Sequence, residues 1–433
     1  MNTDRVREML VDKDANGDYK IPFLVVCDAF QSETVAFADL VLPDTTYLER
    51  HDVMSMLDRP ISEYDGPMDS VRLPVLPPKG DCKPFQDVLI ELGTRLQLPA
   101  FVKEDGSRKF RDYPDFIINY ESAPGSGIGF LSGWRGKGGE KFLRGEPNPQ
   151  QWEMYAKNGC FYHHKLPKSY QYMRNWNKGY LQWSQDHGMT RYAEPILIHL
   201  YSEVLQKFRL AAEGKTDGRQ PPERLRKRIK MHFDPLPFYS ETLESQLIDT
   251  QEYPLNAITQ RPMAMYHSWD SQNAWLRQIH THNHLYLNPK LAEAGGIADG
   301  DWVWVESPHG KVRAICKFSE AVEPGTVWTW NAIGKAAGAR GLSPKANESQ
   351  KGFLLNHVIS EELPPCEAGE HMSNSDPVTG QAAWYDVRVK VYKAEPGEEK
   401  KSWPQFKVMK HYPGMESKRG KVQAYFAGRF GKK

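Results

Sequence analysis

The segment that most constrains the fold is 296–318, where short strand-like stretches are joined by turn residues. The sequence Asp-Gly-Asp at 299–301 is a turn signal, and residues 302–306 then read as a strand. A second turn at 308–310 precedes residues 311–318, which return as another strand. The pattern predicts a β-hairpin system within a small barrel, and such a barrel can carry a polar ligand on its rim.

Length and charge narrow the class of protein. The chain has 433 residues, with 56 Lys and Arg against 55 Asp and Glu. It is long enough for two or three domains with their own cores, and no apolar run is long enough to span a membrane. Residues 1–20 are charged throughout, so we expect no signal peptide. The balanced charge also argues against nucleic-acid binding.

The cysteines are dispersed rather than clustered. There are five, and none belongs to a C-x-x-C pair: Cys27, Cys82, Cys160, Cys316 and Cys366. Neither an iron–sulfur cluster nor a cysteine-based zinc site has its usual ligand spacing here. Unpaired cysteines fit a reducing compartment, so we expect a cytoplasmic protein.

Along the chain we predict an α/β plus β fold. Residues 1–100 contain a strand at 23–30, a helix-like stretch at 33–40 and an amphipathic helix at 85–96, which suit the tail of an α/β domain. Three further regions follow, namely a connecting, wrapping region at 101–250 with a helix at 195–213, a β-barrel domain at 251–397, and a basic tail at 398–433.

Four motifs occur in the order typical of one family. They are Thr259 and Arg261 with His267 and Ser268, then Asn288 with Pro289, then residues 296–312, and finally Pro324 and Gly325 with Val327. This order resembles the C-terminal domain of the molybdopterin-dinucleotide oxidoreductases, the dimethyl-sulfoxide-reductase superfamily. Residues 27–50, CDAFQSETVAFADLVLPDTTYLER, resemble a segment that closes one of that superfamily's α/β domains.

Longer segments at 126–161, 173–183 and 199–215 look most like catalytic subunits of cytoplasm-facing, membrane-anchored sulfite dehydrogenases. The resemblance implies that this chain is the C-terminal half of such a subunit, ending in a six-stranded, double-psi-like barrel. It implies a molybdopterin guanine dinucleotide cofactor, in the molybdenum bis-dinucleotide form. A [4Fe–4S] cluster and the molybdenum ligand would belong to the missing N-terminal half, so we expect the isolated chain to be inactive, with no catalytic residue of its own.

The same resemblance implies partners and a reaction. The direct partners that we expect are the N-terminal half of the catalytic subunit, together with a ferredoxin-like iron–sulfur subunit. A membrane anchor would be reached indirectly. The parent enzyme would oxidise sulfite to sulfate and pass electrons to quinone from a cytoplasmic, peripherally membrane-associated position. Two alternatives stay open: part of a tetrathionate, thiosulfate or polysulfide reductase, or a non-catalytic module for cofactor binding or assembly.

By resemblance, six residues fall on or near cofactor contacts: Arg261, His267, Ser268, Ser271, Asn288 and Asn356. The polar loop at 267–273 supplies the neutral donors and acceptors that a pyrophosphate, a ribose and a guanine edge require. The alternative for His267 and Ser268 is that they only satisfy a turn. One departure from the family is at 375–380, SDPVTG, where the basic residue that often follows is absent.

Three histidines alternate at His280, His282 and His284, so on a strand they would share one face. A metal site is one interpretation, and a packed strand beside the cofactor loop is the one we favour, so no metal ligand is assigned in this chain. The aromatic segment 161–183 either lines a substrate funnel or packs between domains. The basic stretch 219–230 is interpreted as a solvated or partner-contacting surface rather than a nucleic-acid site.

Overall fold

The structure is a computed structural model. It describes residues 2–55, 69–120, 134–135, 141–142, 150, 153, 157, 166–174, 176–186, 192–195, 202–218, 220–265, 273, 275–280, 282–331, 333–336, 339, 345, 351–365, 369, 371–382 and 387–398. The chain divides into two compact units. One, the barrel unit, comprises residues 1–26, 31–40 and 201–433, and the other, the second unit, comprises 27–30 and 41–200.

The first half of the chain carries short elements. In chain order they are α1 (Thr3–Val11), β1 (Val25–Asp28), a 3₁₀ turn (Thr34–Phe37), β2 (Leu40–Pro43), β3 (Asp52–Ser55), β4 (Asp69–Arg72), α2 (Phe85–Arg95), α3 (Tyr113–Asn119), β5 (Trp134–Arg135), β6 (Lys141–Phe142), a 3₁₀ turn (Lys168–Tyr170) and α4 (Lys178–Asp186). β1 and β2 form a two-stranded sheet, while β3 pairs with β4 and β5 with β6 in antiparallel fashion.

The second half begins with helices and continues into strands. The elements are α5 (Glu203–Ala212), α6 (Glu223–His232), α7 (Leu243–Leu247), β7 (Leu255–Gln260), α8 (Leu276–Ile279), β8 (His284–Leu287), α9 (Pro289–Ala294), β9 (Trp302–Ser307), β10 (Gly310–Phe318), β11 (Thr326–Trp330), a 3₁₀ turn (Leu355–His357), β12 (Glu362–Pro365), β13 (His371–Ser373) and β14 (Val387–Lys393). β12 and β13 make a separate antiparallel pair.

Six of these strands close into a barrel in the order β10, β8, β11, β7, β14, β9. Two neighbouring pairs are parallel, β8 with β10 and β7 with β11, and the other pairs are antiparallel. The closed six-stranded barrel predicted from the sequence is therefore present.

The barrel closes because its strands alternate between an inward and an outward face. Along β8, Leu285 and Leu287 are fully buried, whereas the alternate residues, His284 and Tyr286, are half-buried. β11 repeats this pattern with Val327 and Thr329 inside. Since successive side chains of a strand point to opposite faces, the inward positions meet in one apolar core.

Several local predictions are confirmed. The strand at 23–30 contains β1, the hairpin at 302–318 is β9 and β10, and the helix at 85–96 is α2, which ends at Arg95 with Leu96 as its C-cap. The helix-like stretch at 33–40 is shorter than predicted. It is a single 3₁₀ turn at Thr34–Phe37, because the next residue, Ala38, already has extended backbone angles.

Two other predictions need correction. Within the described residues, the helix predicted at 195–213 begins at Glu203, because Ser202 is extended; residues 196–201 lie outside those residues. The three histidines do not share a strand face. Only His284 belongs to β8. His280 is the C-cap of the preceding helix α8, whose first turn is stabilised by hydrogen bonds from the Trp275 and Leu276 amides to the Asn273 side chain.

No helix among the residues that the structure describes has the length and apolar character needed to cross a membrane.

The barrel core gives a stability prediction. Leu285 is fully buried on β8, and Leu285→Ala should lower the free energy of unfolding by about 2–5 kcal/mol, because it removes buried methyl groups and leaves a cavity. Ile258→Ala on the outer face of β7, where the side chain is 39% exposed, is the matched control and should cost on the order of 1 kcal/mol. Denaturant unfolding measures both, and equal losses would contradict the assigned inward and outward faces.

Candidate functional site

One end of the barrel brings three strand ends together. Because β7 and β11 run parallel, their carboxyl ends meet, and the Asn331 amide donates to the Gln260 carbonyl at 2.9 Å just beyond them. β8 runs antiparallel to β11, so its first residue, His284, lies at the same end. We call this the β7–β11 end.

Asn283 holds the β7–β11 end in place. It is completely buried, and its amide nitrogen donates to the Trp330 carbonyl at 2.7 Å and to the Phe353 carbonyl at 3.1 Å. Its amide oxygen accepts from the His284 amide at 3.1 Å. One side chain thus joins the start of β8, the end of β11 and the segment around Phe353.

The segment 353–359 covers this end. Four of its apolar side chains join the barrel core: Phe353, Leu355, Val358 and Ile359. The Ser307 hydroxyl at the end of β9 donates to the Val358 carbonyl at 2.7 Å. Gly334 approaches the same segment so closely that a Cβ there would lie 2.6 Å from the Phe353 backbone nitrogen. This close approach requires glycine at 334.

Asn331 presents an unused acceptor at the β7–β11 end. Its side-chain oxygen is buried and has no hydrogen-bond partner among the described residues. A buried amide oxygen left without a donor costs about 1–3 kcal/mol, so such atoms normally have a partner. The chemistry of this position suits a ligand that donates an N–H or O–H group.

Two of the predicted site residues lie at this same end. Arg261 is exposed and directly follows β7, so its cation is available to a ligand. Asn356 is half-buried in the 3₁₀ turn of the covering segment. The three loop residues His267, Ser268 and Ser271 lie outside the described residues.

Asn288 is placed at the opposite end of the barrel. It follows the last residue of β8 and caps α9, with its side-chain oxygen accepting from the Lys290 amide at 3.0 Å. Its amide nitrogen donates to the Val322 carbonyl at 2.6 Å. Both polar atoms of the Asn288 side chain therefore form hydrogen bonds within the protein. The contact of Asn288 with a cofactor stays a prediction.

A histidine pair stands beside Asn283. The Nε2 atoms of His282 and His284 are 3.1 Å apart, so one imidazole donates to the other. Burial lowers the pKa of both, and together with the His282 and Lys317 charges it lowers the pKa of His284 to about 4. Both rings are therefore neutral at neutral pH. His280 instead packs against the Trp330 ring, with centroids 5.8 Å apart.

A residue of the early motif also reaches this region. The Glu33 carboxylate accepts from the Ala336 amide at 2.6 Å. Ala336 lies two residues beyond Gly334, and Gly334 is in close contact with the backbone of Phe353. The motif at 27–50 and the barrel motifs thus meet through a hydrogen bond within the barrel unit.

Asn283 and Asn331 were not among the site residues predicted from the sequence. Each is a single Asn beside a strand, which is not distinctive by itself. The alternation of Thr326–Trp330 predicts a strand that ends at Trp330, and this places the next residue, Asn331, at the end of that strand. The burial of Asn283 could not have been read from the sequence.

Among the described residues, no group of three or more His, Cys, Asp or Glu side chains is placed to hold a metal ion. The described cysteines Cys27, Cys82 and Cys316 are free thiols. Burial raises the pKa of all three, and that of Cys27 to about 11, so they are protonated at neutral pH.

Two family models match separate parts of the chain. Residues 255–374 match the molybdopterin dinucleotide binding domain, which covers all the barrel strands except β14. Residues 6–95 match the molybdopterin oxidoreductase domain. The chain belongs to the molybdopterin oxidoreductases of the dimethyl-sulfoxide-reductase superfamily. The family assignment made from the sequence is confirmed.

Curated relatives agree with this family. The chain is 77% identical over 432 residues to a sulfite dehydrogenase subunit of Allochromatium vinosum, and the match covers 100% of this chain and 45% of that protein. It is 25% identical to the thiosulfate reductase molybdopterin-containing subunit of Salmonella typhimurium, over 79% of this chain and 38% of that protein. The chain spans less than half the length of these relatives.

A solved structure shows the same fold. Acetylene hydratase from Pelobacter acetylenicus superposes with a TM-score of 0.54 and 22% identity, covering 91% of this molybdopterin oxidoreductase chain and 42% of that one.

The histidine pair gives a pH prediction. His284 has a folded pKa of about 4, below the value of about 6.5 expected when unfolded, so the unfolded chain binds more protons between these values. Stability should therefore fall as the pH drops from about 6.5 to about 4, and His284→Gln should reduce this fall. His371→Gln, at an exposed position, is the control. Thermal unfolding as a function of pH measures it, and an unchanged slope in His284→Gln would disprove it.

Proposed function

We propose that this chain binds the nucleotide end of a molybdopterin guanine dinucleotide at the β7–β11 end of its barrel. The match of residues 255–374 to the molybdopterin dinucleotide binding domain carries the proposal. The donors and acceptors at this end fit the ligand. The buried Asn331 oxygen can accept from a guanine or ribose donor, and the exposed Arg261 can pair with the pyrophosphate.

The remaining contacts belong to the same proposal. His267, Ser268 and Ser271 follow Arg261 in the chain and would add neutral hydrogen bonds, and Asn356 would close the site from the covering segment. We propose that the barrel is of the double-psi type and that the cofactor is present as molybdenum bis-dinucleotide. When bound, the cofactor supplies the two-electron chemistry, and this chain orients it.

We further propose that the enzyme containing this chain oxidises sulfite. The 77% identity to a sulfite dehydrogenase subunit supports this substrate. In the balanced reaction sulfite and water give sulfate, two protons and two electrons. The electrons require an acceptor, and we propose a ferredoxin-like iron–sulfur subunit that passes them to a quinone-reducing membrane anchor.

The organisation of the enzyme is proposed on the same basis. The molybdenum ligand and the [4Fe–4S] cluster would come from the N-terminal half of the catalytic subunit. Residues 1–100 would form the end of the α/β domain of the catalytic subunit, and residues 101–250 would connect this domain to the barrel. Residues 251–397 would bind the dinucleotide, and residues 398–433 would form a basic tail. The complex would stand on the cytoplasmic side of the membrane, held there through its partners.

A second candidate keeps the cofactor and changes the substrate. The similarity to a thiosulfate reductase subunit favours reduction of thiosulfate, or of tetrathionate or polysulfide. That relative is only 25% identical, so sulfite oxidation is better supported. A non-catalytic module for cofactor binding or assembly is the third possibility.

The cofactor site is tested by replacing its unused acceptor. Asn331→Ala in the assembled enzyme should weaken retention of the dinucleotide about fivefold to tenfold, because one hydrogen bond contributes about 1–1.5 kcal/mol. His267→Ala with Ser268→Ala should lower retention in the same direction. Asn256→Ala, an exposed change near the start of β7 at the other barrel end, is the control. Mass spectrometry of bound cofactor measures all three, and full occupancy in Asn331→Ala would refute the placement.

The substrate is tested in the assembled enzyme with an artificial electron acceptor. We expect sulfite to be oxidised with sulfate as the product, in step with the molybdenum content of the preparation. Turnover of thiosulfate or tetrathionate with a reduced dye, and none of sulfite, would favour the second candidate. A preparation that retains the dinucleotide but turns over none of these would favour the non-catalytic module.

A further inference from the structure

The histidine pair, His282 and His284, lies at the start of β8. His282 comes just before the strand and His284 is its first residue, and both residues are half-buried. Their rings approach each other closely, with Nε2 atoms 3.1 Å apart and ring centroids 4.4 Å apart. His280 is not part of this group, because it packs against the Trp330 ring.

The backbone between the two rings is fixed. The buried Asn283 side chain donates to the Trp330 and Phe353 carbonyls at 2.7 and 3.1 Å, and it accepts from the His284 amide at 3.1 Å. These three hydrogen bonds hold the segment that carries both imidazoles. Ligands that are already held in place lose less conformational freedom when an ion binds, so the histidine pair is preorganised.

The spacing of the two nitrogens suits one metal ion. Zinc binds an imidazole nitrogen at about 2.0–2.1 Å, so two such nitrogens on one ion lie about 2.9 Å apart at a right angle and about 3.3 Å apart at the tetrahedral angle. The observed separation of 3.1 Å falls between these values. Both nitrogens can therefore reach one ion with small movements of the rings.

The chemistry of the pair also suits a metal. An imidazole binds a metal through its neutral form. In the ion-free pair one Nε2 donates its proton to the other. When an ion binds, the donating ring takes its other tautomer, with the proton on Nδ1, and both Nε2 lone pairs become ligands. No proton is gained or lost in this exchange.

The charges around the pair are mixed. Lys317 and Asp299 lie close enough to act on the charge of His284, and Lys351 acts on that of His282. The two lysines oppose a bound cation, whereas the carboxylate favours it. All three side chains are exposed, so water and salt screen their charges.

The expected affinity is moderate. No third His, Cys, Asp or Glu joins the histidine pair among the residues that the structure describes. A structural zinc site has four protein ligands, so a site with two of them, completed by water, should bind with a dissociation constant of about 1–100 μM.

We propose that His282 and His284 form a two-histidine site for a late first-row divalent cation, Zn²⁺ or Cu²⁺, at the β7–β11 end of the barrel. Imidazole suits both ions, and Cu²⁺ should bind more tightly than Zn²⁺. Mg²⁺ and Ca²⁺ require oxygen ligands and do not fit the site. The site is separate from the proposed function, because it uses none of the residues assigned to the dinucleotide.

Titration of the chelator-treated chain with Zn²⁺, followed by calorimetry, tests the site. We expect one ion to bind with an affinity in this range and Mg²⁺ to give no heat. His282→Asn and His284→Gln should each weaken Zn²⁺ binding about tenfold or more, because each removes one of two protein ligands. His371→Gln, at an exposed position away from the pair, is the matched control and should bind as wild type does.

A spectroscopic measurement on the unaltered chain does not depend on how the variants fold. Electron paramagnetic resonance with one equivalent of Cu²⁺ should show coupling to two imidazole nitrogens. Circular dichroism checks that the metal-free variants keep their secondary structure.

Three results would overturn the proposal. They are no Zn²⁺ binding, unchanged affinity in both histidine variants, and coupling of Cu²⁺ to fewer than two imidazole nitrogens. The adjacent residues His163 and His164 provide a further control. Loss of Zn²⁺ binding in His163→Gln with His164→Gln, but not in the variants of the histidine pair, would place the site elsewhere and contradict the proposal.

Discussion

The β7–β11 end depends on the hydrogen bonds of one buried amide, Asn283. Its nitrogen binds the carbonyls of Trp330 and Phe353, and its oxygen binds the His284 amide. Three segments distant in sequence therefore share one fixed point. A buried polar group with all these bonds satisfied rigidifies its surroundings, and a rigid end is what a cofactor site requires.

The parallel pairing of β7 with β11 places polar side chains next to Asn283. It brings Arg261 and Asn331 to the same rim, with the covering segment and Asn356 above the core. Strands carry the polar residues to the rim, while the alternating apolar positions fill the interior. The proposed division of labour follows, in which this chain orients the cofactor and the chemistry belongs to the bound group.

The sequence predicted the barrel because turn residues and alternating strands are local signals. The hairpin of β9 and β10 and the helix α2 were both placed by such patterns. The shared strand face of the three histidines was wrong because His280 is the C-cap of the short helix α8, which alternation alone does not reveal. The antiparallel pairing of β8 and β11 puts Asn288 at the opposite end of the barrel from Arg261 and Asn331, and its predicted contact with the cofactor stays a prediction. Such strand pairings join residues that are far apart in the sequence, so local sequence patterns do not predict them.

The most direct test is an experimental structure of the cofactor-loaded enzyme that contains this chain. We predict the guanine nucleotide at the β7–β11 end, with a donor of the ligand within hydrogen-bonding distance of the Asn331 side-chain oxygen and Arg261 near the pyrophosphate. A nucleotide bound at the opposite end, beside Asn288 and α9, would contradict it.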